Sequence, residues 1–171
     1  IVMTVNGLIQ GCLPIMRFNY RAKKADRLRQ TYKTGTGIAV IMMLFGAFIV
    51  LCFPNEILSL FSASEEMRSF GTSAMRIMAT SFVIGGFSTM IATYEQATDR
   101  IGSSMVIQLL RQGVLLVPLM WLLNRLLQIT GIWLAFPVTE LIVCAIAVIF
   151  MKRDGKVRIA EAAQTHKTGK N

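Results

Sequence analysis

The stretch Val5–Lys24, VNGLIQGCLPIMRFNYRAKK, decides how the rest of the chain is read. It holds an apolar run interrupted by Asn6, Gln10 and Pro14, and it closes on positive charge at Arg17, Arg21, Lys23 and Lys24. A secretory leader carries its charge before the apolar core and small residues at a cleavage site after it. Here the charge follows and no such site does. The stretch reads instead as a membrane helix whose basic end meets a loop on the cytoplasmic side.

The whole chain has the composition of a polytopic membrane protein. Hydrophobic residues make up 54% of its 171 and charged residues 16%, with a mean hydropathy of +0.56, too apolar for a soluble domain of this size. The net charge is +9, which raises the question of nucleic acid. Seven basic residues lie between Arg17 and Lys33 and six between Lys152 and Lys170. Each cluster abuts an apolar segment and neither alternates with aromatics that could stack on bases, so an anionic membrane surface is the partner and nucleic acid is not.

Five segments, about 1–17, 36–53, 72–93, 104–123 and 131–151, are long enough, or nearly so, to cross ~30 Å of hydrocarbon. The first is read as truncated, because the chain starts at Ile1. The expected fold class is therefore all-α, a transmembrane helical bundle over residues 1–152. The polar stretch 153–171 is expected to be a disordered cytoplasmic tail.

Five spans put the loops after segments one, three and five on one side. That side holds the basic cluster from Arg17 to Lys33, Arg100 and the basic tail. The other holds Glu56, Glu65, Glu66, Arg68 and Arg125. The positive-inside rule places the first group, and the C-terminus with it, in the cytoplasm of a multi-pass protein of the cell membrane.

Metal and disulfide chemistry find no support. Cys12, Cys52 and Cys144 sit singly in apolar runs, and His166 lies alone in the tail. A membrane enzyme would need paired acids, a histidine cluster or an activated nucleophile converging at one depth, and none is seen.

The polar and helix-breaking positions inside the spans are the informative ones. Pro14, Pro118 and Pro137 fall within segments one, four and five, and Gly85-Gly86 within segment three. Each proline removes a backbone hydrogen bond and marks a candidate bend, or else a packing device between helices. Gln108, Arg111 and Gln112, at i, i+3 and i+4, share one face of segment four. Arg111, and Arg76 in segment three, either snorkel to an interface, pair structurally or line a cavity. Glu140 lies nine residues beyond Gly131, about 14 Å along the helix and near the midplane. An ionised carboxyl at that depth is costly without a cation beside it, which suits a proton or sodium carrier; the alternative is a hydrogen-bonded packing glutamate. Polarity and depth together place Asn6, Gln10, Gln108, Gln112 and Glu140 on a candidate cation or substrate path.

Four stretches in order carry a resemblance. GLIQGCLPIMRFNYRAKKADRLRQ, Gly7–Gln30, resembles the helix-to-loop signature of multidrug and toxic compound extrusion (MATE) transporters, with Gln10, Gly11, Pro14, Phe18, Asn19, Tyr20, Ala22, Lys23 and Arg27 at the expected places. MRIMATSFVIGGFSTMIATYEQATDR, LLRQGVLLVPLMWLL and GIWLAFPVTELI are similar to the family's following helices. Two positions depart from its pattern, Arg21 and Asp99, each where glycine is usual and would ease a positive φ.

The resemblance, which covers residues 1 to about 152, implies helices eight to twelve of a twelve-helix transporter, a partial C-terminal lobe whose partner is the missing N-terminal lobe. It implies export of amphipathic or cationic drugs by antiport with Na⁺ or H⁺ through alternating access, with no cofactor. The family's best-known cation-binding acids lie on helices outside this stretch. Rival readings are a lipid-linked oligosaccharide flippase, which would require an arginine-lined cavity for its pyrophosphate, and a membrane fragment that does not transport.

Overall fold

The computed structural model describes residues 2–60 and 65–168. The chain forms α1 (Val2–Arg21), α2 (Ala25–Cys52), the short α3 (Pro54–Leu60), α4 (Glu65–Ala97), α5 (Ile101–Leu109), a π-helical segment (Leu110–Val114), α6 (Leu116–Leu127) and α7 (Ile129–Thr168). No strand occurs among the described residues, so the expected all-α class holds. Four of the helical stretches, Ala25–Cys52, Phe70–Ala97, Ile101–Leu127 and Ile129–Arg153, are long and apolar enough to cross a membrane. The fifth expected span, α1, is also ~30 Å long, but Asn6, Gln10, Arg17 and Asn19 leave it less apolar than the other four.

Packing follows the logic of lipid rather than water. From Gly35 onward the buried positions of α2 are Gly35, Ala39, Met43, Gly46, Ala47 and Val50, a stripe of mostly small side chains. Ile38, Ile41, Leu44, Phe45 (66% exposed) and Phe48 (59%) point outward. Against hydrocarbon, large apolar groups gain nothing by turning inward, so close backbone approach decides the interface. The approach is made to α4, the central helix, which packs against α1, α2, α3, α5 and α7. Val5, Ala39, Met43 and Met90 join α1, α2 and α4; Ile91, Ala92, Ile107, Val143 and Ala147 join α4, α5 and α7.

The basic loop is shorter than the sequence suggests. α2 begins at Ala25 rather than near residue 36, so Arg27, Arg29 and Lys33 lie on its first turns. Lys, Arg and Gln are good helix formers, and once the helix leaves the bilayer nothing forces it to uncoil. The turn itself is Ala22–Lys24, where Lys24 N–H donates to Asn19 O (3.0 Å) and Lys23 N–H to Tyr20 O (3.0 Å). That is a Schellman ending with Lys23 left-handed at φ 55°, a place glycine usually holds. Arg21 is the last helical residue and needs no positive φ, whereas Asp99, at φ 61°, occupies such a position. The two turns lie side by side, with Arg21 Nη2 3.9 Å from Asp99 Oδ1. Tyr32 Oη donates to Met151 Sδ across 3.7 Å, bringing α7 to the same end.

α7 continues as helix to Thr168, where an unstructured tail was expected from 153. A helix already nucleated in the membrane extends without a new nucleation cost, and the run from Ile159 to Ala163 favours extension.

α6 and α7 form a hairpin closed at Gln128, whose N–H donates to Asn124 O (2.9 Å). Gly131 permits it, because a Cβ there would overlap the backbone carbonyl of Leu123. Gly131→Ala should destabilise the folded protein by about 1–3 kcal/mol. Gly37→Ala, inside α2 with nothing within 4 Å of its Cβ, should be neutral to slightly stabilising. Thermal melting in detergent checks both, and equal melting temperatures would contradict the hairpin.

Candidate functional site

Glu140 does not lie alone. Arg111, from the π-helical segment, reaches it with two charge-assisted hydrogen bonds, Nε to Oε1 at 2.7 Å and Nη2 to Oε2 at 3.0 Å. The side chains are 20% and 15% exposed. Nη2 also donates to the backbone carbonyl of Gly85 at 2.8 Å, and Nη1 donates to Thr89 Oγ1. Thr89 Oγ1 in turn donates to Gly85 O at 2.6 Å. Ser88 Oγ lies 3.1 Å from that same carbonyl and 3.2 Å from Glu140 Oε2. Four of the five guanidinium N–H groups are engaged, and the planar fork meets the carboxylate bidentately, the strongest arrangement open to this pair.

Two local features of the sequence make the contact possible. Leu115 N–H donates to Leu110 O at 3.1 Å, a π-type bond whose wider turn carries Arg111 and Gln112. Gly85 removes an obstacle, since a Cβ there would come within 2.8 Å of Arg111 Nη2 and 3.4 Å of Glu140 Cδ. Gly86 does the same on the opposite flank of α4, where a Cβ would meet Met43 Cγ at 2.9 Å. The two glycines therefore serve two different interfaces, one with α2 and one with the ion pair.

The pair lies in the wall of a cavity of about 620 Å³. Val5 and Asn6 of α1, Met43 of α2, Met78, Ser81, Phe82, Gly85 and Thr89 of α4, and Gln108 of α5 line it. Arg111 and Gln112 of the π segment, Leu116 of α6, and Phe136, Thr139 and Glu140 of α7 complete the wall. Of the five residues expected on a path, Asn6, Gln108, Gln112 and Glu140 line this cavity; Gln10, one turn along α1, is exposed and does not. Arg111 turns inward to pair rather than snorkelling to the interface, while Arg76 is exposed on α4. Among the described residues no cluster of His, Cys, Asp or Glu could hold a metal ion.

The prolines occupy different local settings. α1 and α7 run on as helix through Pro14 and Pro137, whose missing N–H groups free the carbonyls of Gln10 and Trp133. Pro118 sits in the first turn of α6, where no N–H is needed. The irregularity beside it is the π segment.

Sequence reasoning overlooked Ser88, Thr89 and the particular role of Gly85. Ser88 and Thr89 were legible as polar residues one turn beyond a glycine pair, but hydroxyls in membrane helices commonly bond their own backbone. It also overlooked Glu95, wholly buried near the end of α4.

Comparison with known proteins follows the same outline. The MatE family profile matches residues 1–122. The multidrug export protein MepA of Staphylococcus saprophyticus is 26% identical over 157 residues, taking in 89% of this chain and 34% of that protein. MepA of Staphylococcus aureus is 25% identical over 161 residues, with the same shares of 89% and 34%. The MATE multidrug transporter DinF-BH, solved as a complex with a bound compound, aligns with a TM-score of 0.81 at 29% identity, covering 88% of this chain and 34% of that one. The chain thus spans about a third of the length of the proteins it matches.

Breaking a buried pair costs far more than replacing it whole. Arg111→Gln alone should lower stability by about 3 kcal/mol, because it leaves the Glu140 carboxylate unpaired. The double variant Arg111→Gln/Glu140→Gln should recover most of that loss. Unfolding measured in detergent or lipid tests the cycle, and additive losses would mean that the two side chains do not interact.

Proposed function

The chain belongs to the MatE family, and we propose that it is the membrane lobe through which a secondary active exporter handles amphipathic or cationic compounds. The matched relatives are multidrug exporters by name, and four helices here are long and apolar enough to span a membrane. The observation that carries the reading is the cavity, which combines adaptable apolar walls with a single charged pair. Methionine and phenylalanine fit ligands of varied shape, and about 620 Å³ is within the range that holds one drug-sized molecule.

Transport in this reading is antiport with Na⁺ or H⁺ by alternating access, with a second lobe facing the cavity. Asn6, Gln108, Gln112 and Glu140 line the path, Gln10 extends it one turn along α1, and Pro14, Pro118 and Pro137 are the bending points. The coupling ion is taken at Glu140, where it competes with Arg111 for the carboxylate. The flippase alternative gains no support from the cavity, whose lining contains one arginine and that one already paired.

The basic end of the bundle, with the C-terminus, faces the cytoplasm of the cell membrane. In otherwise cysteine-free protein, a cysteine at Arg29 or Lys156 should be labelled only from inside and one at Glu56 only from outside. Labelling of Arg29→Cys by an impermeant reagent on intact cells would overturn the orientation.

Expressed at full length from its own gene in cells lacking drug exporters, the protein should reduce accumulation of a permeant dye cation. Unchanged accumulation at verified membrane expression would refute the reading. In vesicles, Glu140→Gln should still bind the dye cation, though more weakly, while losing most of the response of transport to an imposed proton or sodium gradient. A full response would place the coupling site elsewhere.

A further inference from the structure

The geometry points to a finer role for the ion pair, resting on the reading of the cavity as a ligand site: Arg111 and Glu140 together set its charge selectivity. They admit amphipathic ions of either sign by exchange, a ligand cation on Glu140 or a ligand anion on Arg111, and removing one partner leaves the cavity selective for the sign the other attracts.

Among the described residues, Arg111 and Glu140 are the charged ones in the lining; the remaining polar ones, Asn6, Ser81, Thr89, Gln108, Gln112 and Thr139, are neutral. The wall therefore carries no net charge while the pair is intact, and one full unit when either partner is removed. Both side chains are partly exposed, 20% and 15%, so a ligand in the cavity can approach them.

Each partner also has a holdfast that survives exchange. When a ligand cation takes the carboxylate oxygens, Arg111 keeps the Gly85 carbonyl and the Thr89 hydroxyl on α4. When a ligand anion takes the guanidinium, Glu140 keeps the Ser88 hydroxyl. Neither charge is then stripped of hydrogen bonds, which is the condition under which a buried pair can open without prohibitive cost. The apolar part of the ligand lies against Met43, Met78, Phe82 and Phe136.

A charge left in such surroundings acts on a ligand through a low effective dielectric, so its sign should register strongly in affinity. The test titrates the purified full-length protein with two amphipathic fluorescent dyes of similar size, a rhodamine-type cation and a sulfonated anion. The parent should bind both with similar affinity. Glu140→Gln should strengthen the anion and weaken the cation by about tenfold each, and Arg111→Gln should do the reverse. Because Arg111→Gln strands a carboxylate and risks misfolding, Arg111→Gln/Glu140→Gln supplies the control. Its wall is neutral again, and it should restore the parental ratio. Single variants that shift both dyes by one factor, or leave their ratio unmoved, would make the pair purely structural and overturn the inference while leaving the ligand cavity standing. Binding of neither dye to the parent would overturn the cavity reading and the inference with it.

Discussion

A guanidinium inside an apolar bundle must be met by a counter-charge and by hydrogen-bond acceptors, and much of this structure is arranged to meet that demand at Arg111. Its fork takes the Glu140 carboxylate from α7 and the Gly85 carbonyl and Thr89 hydroxyl from α4. Three elements distant in sequence are thereby tied at one point. The strained or unusual features nearby become intelligible from it: a π turn that carries the arginine, a glycine where any Cβ would collide with it, and a serine that completes the carboxylate's coordination.

The remainder of the packing serves close approach rather than hydrophobic burial. Small residues of α2 and α4 face one another while Ile38, Ile41, Phe45 and Phe48 of α2 face out, the opposite of a soluble core. Such an interface tolerates a polar centre, because removing the pair would not be repaid by a stronger hydrophobic effect. The same tolerance lets a cavity persist beside it. Ligand chemistry and helix packing therefore meet at the same residues, so a change at Gly85 or Thr89 would be felt in both.

Membrane character, the four long apolar spans and the polar positions of segments four and five were legible because each rests on composition or on a period within a single segment. Glu140 stood out since a lone acid deep in an apolar run has few explanations. For Arg111, snorkelling, pairing and cavity lining were all open, and the sequence could not choose among them, because the carboxylate that captures it is 29 residues further on. No residue pattern marks the π segment, and the glycine pair could not reveal that its two members face different neighbours. Asp99 occupies the glycine-like turn conformation its place suggested, while Arg21 does not. Lys23, two residues on, takes the positive φ, because the Schellman geometry of α1 sets where the chain reverses. The early start of α2 was hidden for a related reason, since charge marks the edge of the bilayer and not the end of a helix.

Arg111 is drawn inward to Glu140 beneath Gly85 on the wall of the cavity. The most direct check is an experimental structure of the full-length protein in a lipid bilayer, resolved well enough to trace both side chains. Continuous density should join the guanidinium of Arg111 to the Glu140 carboxylate and to the Gly85 carbonyl. An Arg111 side chain extended to the headgroup region, with Glu140 facing other partners, would contradict it.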